Sequence, residues 1–377
     1  MYFRDIVGQE EIKKKLIGNI KNNRVSHAQL FLGPEGCGKL ALAIAYARYL
    51  SCTEPQPTDA CGVCPSCIKY NKLTHPDVNF FYPIASKKQG DNPAISKDYA
   101  AQWRSYLEKS PYVSLNDWYK EIDIENKQGY INARDCGEIV RVLSYKTYES
   151  NFKIIIMWMI ERLYYAAAPK LLKTLEEPPE NTLFLLVSEN QEQIINTILS
   201  RTQIVKIPRL KDHEIRDGLI EQYNCEPHQA DQIAFLSDGN FYDALALLEN
   251  KGEYENNTVF LREWLRECYA FNAEKIMKSV DILAKMGREK QKTLLALALE
   301  VFRQCTLLNY HANNLVKVHP EFMDFIKKFS TVLKPDIAHA MSEEFSKAIF
   351  HVERNANPKI LFTDLSLRAS LIMKEKK

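Results

Sequence analysis

Two groups of residues near the start of the chain have the types and spacing for chemistry. Gly33-Pro34-Glu35-Gly36-Cys37-Gly38-Lys39 fits G-x4-G-K, the pattern of a phosphate-binding loop. Its glycines let backbone N–H groups turn toward phosphate oxygens, the helix that follows adds positive potential, and the lysine reaches the terminal phosphates. Gly33, Gly36, Gly38 and Lys39 are therefore the candidate nucleotide-binding residues. The next position should carry a hydroxyl for Mg²⁺, but it is Leu40, which has no oxygen to offer. The second group is Cys52, Cys61, Cys64 and Cys67, spaced C-x8-C-x2-C-x2-C. Paired C-x2-C steps suit tetrahedral thiolate coordination of Zn²⁺, and Pro55, Pro57, Gly62 and Pro65 supply the turns. No histidine falls within the cluster, so the expected site is a closed four-thiolate centre whose zinc is structural.

A phosphate loop needs a strand before it and a helix after it. Gln29-Leu30-Phe31-Leu32 reads as a buried strand, and Lys39 to Leu50 as the helix. Ile154 to Ile160 and Thr182 to Val187 read as two more buried strands. Between them a helix is predicted over Ala166 to Glu177, with Pro169 in its first turn and Pro178-Pro179 as its stop. This alternation predicts an α/β domain with a parallel sheet flanked by helices. In a hydrolytic site the second strand ends in an acidic pair that holds metal and activates water. Here Ile154-Ile155-Ile156-Met157-Trp158-Met159-Ile160 ends in none, and the first acid is Glu161. A loop that keeps its lysine but lacks both metal-holding elements points to an inherited nucleotide fold without hydrolysis, and ATP binding is not counted on.

Twelve of the sixteen prolines precede residue 210, and beyond Pro208 the pattern turns helical. Helices are predicted over Asp212 to Tyr223, Gln229 to Leu236 and Phe241 to Leu248. The polar stretch Lys251 to Asn257 reads as a linker. From Thr258 to Lys377, apolar residues recur at helical spacing, as in Leu294, Leu297, Val301 and Leu308. The expected organisation is an α/β domain over 1–210 with a zinc module at 52–67, an all-helical lid over 211–250, and an all-helical domain over 258–377. An insertion near 86–128 is polar but carries Trp103, Tyr106, Tyr112, Trp118 and Tyr119. It reads as a surface excursion with its own small core, the alternative being a partner-binding loop. Glu176 and Glu177 are no catalytic pair, because adjacent helix positions point about 100° apart; they are expected to make contacts at the helix end. The last residues, Lys374 to Lys377, read as a solvated tail.

Composition narrows the class. A chain of 377 residues implies two or three domains at about 150 residues each. Fifty Lys and Arg against forty-eight Asp and Glu give a net charge of +2, which excludes a polybasic protein held to nucleic acid by bulk charge. The longest apolar run is eight residues, Leu40 to Ala47, too short to span a membrane. Nine cysteines with one tight cluster argue for a metal site in a reducing compartment. With no apolar secretory stretch at the start, the expectation is a cytoplasmic protein.

Further motifs occur in a telling order: Asp5-Ile6-Val7-Gly8-Gln9, His27-Ala28, the phosphate loop, the four cysteines, His75-Pro76-Asp77-Val78, Leu171 to Pro179, and Ser200-Arg201. Together they resemble the clamp-loader subunits of bacterial DNA polymerase III, of the AAA+ class. That family has two kinds of subunit with these motifs. The gamma or tau motor has an intact loop, an Asp-Glu pair on the second strand and an arginine in the lid. At those positions stand Leu40, Trp158-Met159 and Tyr242. The chain therefore resembles the delta-prime kind, an inert stator. The resemblance implies that Arg201, with Ser200, projects into the ATP site of an adjoining motor subunit, where a guanidinium stabilises charge on the transferring phosphoryl group. It also implies that the last domain joins a collar with gamma or tau and delta, and that the assembly loads a sliding clamp onto primed DNA.

Overall fold

Five short runs pair in parallel to make one sheet: β1 (Ala28–Leu32), β2 (Val78–Phe81), β3 (Lys153–Trp158), β4 (Thr182–Ser188) and β5 (Gln203–Lys206), in the order β2-β3-β4-β1-β5. The chain is seen in a computed structural model that describes residues 1–85, 94–124, 127–249, 251–312, 315–318 and 320–374. Strands β3 and β4 are buried along their whole length. Such runs read as continuously apolar because helices cover both faces of a parallel sheet. One face packs Phe31, Ile154, Ile156, Trp158, Leu183 and Leu185 against the helix Lys39–Ser51. The other packs Ala28, Leu30, Ile155, Phe184 and Leu186 under the helices Ala133–Leu143 and Ala168–Glu176. Alternating side chains of each strand thus feed two separate cores.

The chain divides into two compact units, Met1–Ala246 and Leu247–Lys377. The first holds the sheet together with two lid helices, Asp212–Tyr223 and Pro227–Leu236, and the start of a third, Phe241–Glu249. The second is wholly helical among its described residues, from Lys251–Ala270 to Pro358–Lys374. Its core gathers Trp264, Phe302, Phe345 and Phe362, and the indole N–H of Trp264 donates to Ser366 Oγ at 3.0 Å. No helix among the described residues is long and apolar enough to cross a membrane.

Three expectations are corrected. Residues 251–257 are no linker: they open the helix Lys251–Ala270, whose later turns bury Leu261, Trp264 and Leu265. The insertion does not make its own core either. Trp103, Tyr106, Trp118 and Tyr119 join the main core of the sheet, with the Trp103 ring stacked 4.1 Å from Tyr82 and 5.2 Å from Trp158. Strand β3 also stops at Trp158, because Met159 takes a left-handed φ of 57°. Residues 86–93 and 125–126 of the insertion, and 375–377 of the expected tail, lie outside the described residues.

Candidate functional site

The phosphate loop, Glu161 and Glu189 all follow the carboxyl ends of adjacent strands, β1, β3 and β4, where open parallel sheets place their ligand crevice. Gly36 (φ 69°) and Gly38 (φ 83°) make the left-handed turns, and Gly38 caps the helix Lys39–Ser51. The loop therefore has its expected backbone. Its lysine is already engaged: Lys39 Nζ lies 2.8 Å from Glu189 Oε1 and donates to Pro34 O at 3.0 Å, with the side chain buried. Leu40 is packed in the core.

Other acids gather around that lysine. Burial, then the charge of Glu189, pushes the Glu35 carboxyl up to about 7. Burial likewise raises Glu161, whose Oε1 accepts the Glu189 N–H at 2.8 Å. It also raises Asp243 in the lid. The lid sits directly on the loop: Phe241 N donates to Gly36 O at 3.2 Å, and a Cβ on Gly36 would lie 1.6 Å from Asn240 Oδ1. The insertion closes on the same place. Tyr112 packs its ring 4.6 Å from Phe241 and accepts the Val7 N–H on its hydroxyl at 2.7 Å. Tyr242 in the lid donates its hydroxyl to Asp117. The loop's cation and its Pro34 and Gly36 carbonyls thus find their partners within the chain.

The helix that leaves the phosphate loop ends on the cysteine cluster, with Cys52 as its C-terminal cap. One sulfur from each of Cys52, Cys61, Cys64 and Cys67 lies within 4.8 Å of the others. Tetrahedral zinc–thiolate bonds of about 2.3 Å put sulfurs roughly 4 Å apart, so this donor set fits Zn²⁺. Three sulfurs accept backbone N–H groups: Cys61 N to Cys52 Sγ at 3.3 Å, Cys64 N to Cys61 Sγ at 3.4 Å, and Cys67 N to Cys64 Sγ at 3.4 Å. At Cys64 burial works against ionisation, but the Cys67 and Thr53 N–H groups outweigh it and bring the thiol down to about 6. The other five cysteines are singly buried.

Arg201 stands apart from both clusters, in the turn between the helix Asn196–Leu199 and β5. Its Nη2 lies 2.5 Å from Glu176 Oε1, and its Nη1 donates to Thr197 O at 2.9 Å and to Ser200 Oγ at 3.2 Å. A third of the side chain is exposed. Glu176 therefore makes a helix-end contact, as its position predicts, and the contact is with the arginine. The His75-Pro76-Asp77-Val78 motif proves to be a brace. Asp77 is fully buried, accepts the N–H groups of Tyr148, Glu149 and Ser150 at 2.7–2.9 Å, and pairs with Lys153 at 2.9 Å. Sequence reasoning missed Glu189, Tyr112 and Asn240. Only Glu189 left a signal, as an acid directly after a buried strand.

A family model described as DNA polymerase III, delta subunit, matches residues 8–211. The chain belongs to this family of clamp-loader subunits. Its α/β unit places the loop after β1, with the helical lid over it. Among curated relatives, DNA polymerase III subunit tau of Bacillus subtilis is 29% identical over 268 residues, covering 70% of this chain and 40% of the relative. Subunit delta' of the same organism is 28% identical over 242 residues, covering 64% and 60%. Subunit tau/gamma of Haemophilus influenzae is 24% identical over 369 residues, covering 90% and 47%. The chain thus spans 40% to 60% of these relatives' lengths. A solved gamma subunit-related protein of Thermotoga maritima aligns with a TM-score of 0.38 at 14% identity, covering 96% of this chain and 99% of that one.

Proposed function

We propose that this chain is a delta-prime-type stator of a bacterial DNA polymerase III clamp loader. It joins related subunits, gamma or tau and delta, in a ring that opens a sliding clamp and places it on primed DNA. Its own nucleotide site is silent, and its contribution to hydrolysis is Arg201, supplied with Ser200 to the site of an adjoining subunit. The helical unit Leu247–Lys377 is the collar element of that assembly, and the four cysteines hold a structural Zn²⁺.

The observation that carries this reading is the state of Lys39. Phosphoryl transfer needs a free loop lysine and a metal held by a hydroxyl and strand-end acids. Here the lysine is paired with Glu189, Leu40 replaces the hydroxyl, and Glu161, the first acid beyond the strand, turns one oxygen to the Glu189 N–H. Tyr242 in the lid bonds Asp117 and offers no cation to a phosphate. Arg201, by contrast, is partly exposed and held by a single carboxylate that a stronger anion can displace. Steady-state ATP turnover by the purified protein tests the silent site, with background rates expected. Turnover abolished by Lys39→Ala would identify a motor subunit instead.

A further inference from the structure

The helix Lys39–Ser51 carries one charge that the phosphate loop does not use. Arg48 lies one turn before Cys52, and its side chain is completely buried. Its Nη2 donates to Cys67 O at 3.0 Å and its Nη1 reaches Met1 O at 3.4 Å, while the Nε–H has no partner. The guanidinium lies 3.4 Å from the centre of the Tyr2 ring. No Asp or Glu among the described residues forms an ion pair with it. A guanidinium taken out of water without an anion costs several kcal/mol, and two carbonyls with one ring do not offset a full charge.

The cysteine cluster lies beside this arginine, whose Nη2 bonds the Cys67 carbonyl. Four thiolates on one divalent cation sum to a net charge of −2. Three of the four sulfur-bearing residues are buried with the arginine, Cys67 at 0% and Cys52 and Cys64 at 8% exposed, while Cys61 is half-buried. A buried dianion beside a buried, unpaired cation is a complementary pair, each removing the other's dehydration cost. The bond from Arg48 to the Cys67 carbonyl fixes the arginine on the backbone of a ligand, the position from which an outer partner orients a metal site.

We propose that Arg48 is the counter-cation of the Cys52/Cys61/Cys64/Cys67 metal centre, a positioning residue that raises the site's affinity for Zn²⁺. The proposal rests on the reading that these cysteines hold a metal. It also ties the metal to the phosphate-loop helix: the helix carries Lys39 at its start, Arg48 in its last turns and Cys52 at its cap.

The test is competition for Zn²⁺ between full-length protein and a chromophoric chelator of known affinity, for wild type, Arg48→Gln, Arg48→Met and Arg48→Lys. Thermal melts of each metal-free protein run alongside. Losing an outer-sphere partner typically weakens metal binding about 10–100-fold. The two neutral variants should fall in that range, and Arg48→Lys, which keeps the charge, should recover most of the loss. Cobalt-loaded protein should show the matching order in the stability of its thiolate-to-cobalt absorption band. Neutral variants that melt lower but hold Zn²⁺ as tightly as wild type would overturn the proposal, leaving Arg48 as packing and the metal reading intact. Equal losses in Arg48→Lys and Arg48→Gln would also overturn it, since charge would then not matter. A wild-type protein that competes for no Zn²⁺ would overturn the metal reading and the proposal together.

Discussion

Lys39 is where a hydrolysing loop and a silent one part company. In a working loop the ammonium is kept for phosphate. Here it sits 2.8 Å from Glu189, with the two side chains 6% and 29% exposed. At an effective dielectric of about 20, unit charges at that spacing attract by about 6 kcal/mol, most of it offset by dehydration. Breaking such a pair from one side costs about 3–5 kcal/mol, because the surviving charge stays buried. Partial exposure of Glu189 sets the expectation at the lower end, about 3 kcal/mol. For a unit of this size that lowers the melting temperature by about 6–12 °C. The assay is a double-mutant cycle on full-length protein with Lys39→Met, Glu189→Gln and both together. Each single variant should melt lower, and the double should lose less than the sum, with a coupling of about 1–3 kcal/mol. A Lys39→Met protein that melts like wild type, while Mg-ATP raises the melting temperature of wild type alone, would show that Lys39 is free for phosphate and refute the argument.

Two buried aspartates should respond to pH with opposite signs. At Asp77 burial favours the neutral acid, but the backbone N–H groups of Glu149 and Ser150, with Lys153, prevail and hold the carboxyl at about 2. Its stabilisation, about 2–3 kcal/mol, is present above pH 4 and lost as pH falls from about 4 to 2. Urea melts across that window should show the loss in wild type and a flatter profile in Asp77→Asn. Asp135 is pushed up to about 6 by burial. Its stabilisation is present below about pH 4 and lost as pH rises through 6, so Asp135→Asn should remove a decline of about 3 kcal/mol between those values, and an unchanged profile would disprove the assignment. Elemental analysis should find one zinc per chain, lost in both Cys61→Ser and Cys64→Ser; full occupancy in a variant lacking two of the four cysteines would sink the centre.

Sequence reading succeeded where one short segment carries the whole signal. Strands β1, β3 and β4 are mostly buried and apolar, so the runs Gln29–Leu32, Ile154–Ile160 and Thr182–Val187 were legible as strands, the second two residues too long. The edge strands were not. Each is four residues long, and β5 buries only Val205, leaving neither alternation nor an apolar run. Residues 251–257 are polar and contain Gly252, Asn256 and Asn257, all poor helix formers, so local propensity misled. The packed face from Leu261 to Leu265 carries the helix through them. The phosphate loop and the cysteines were legible because their chemistry lies in spacing. What engages the loop lysine and covers the loop was not, since Glu189 meets Lys39 across 150 positions and Tyr112 meets Val7 across 105. Long-range approach leaves no periodicity to read.

Arg201 carries the central proposal, that a subunit with no turnover of its own contributes to hydrolysis at a neighbour's site. The direct measurement is clamp- and DNA-stimulated ATPase of the reconstituted loader, with wild-type or Arg201→Ala subunit at matched assembly. An arginine finger is worth about 10³–10⁵ in rate at the site it serves, so total hydrolysis should fall by that site's share while the complex still assembles. Arg201→Lys should be nearly as damaging, because a point ammonium cannot reproduce the planar fork that Glu176 now grips. Unchanged hydrolysis and unchanged clamp loading with Arg201→Ala would contradict the claim and reduce Arg201 to a surface charge paired with Glu176.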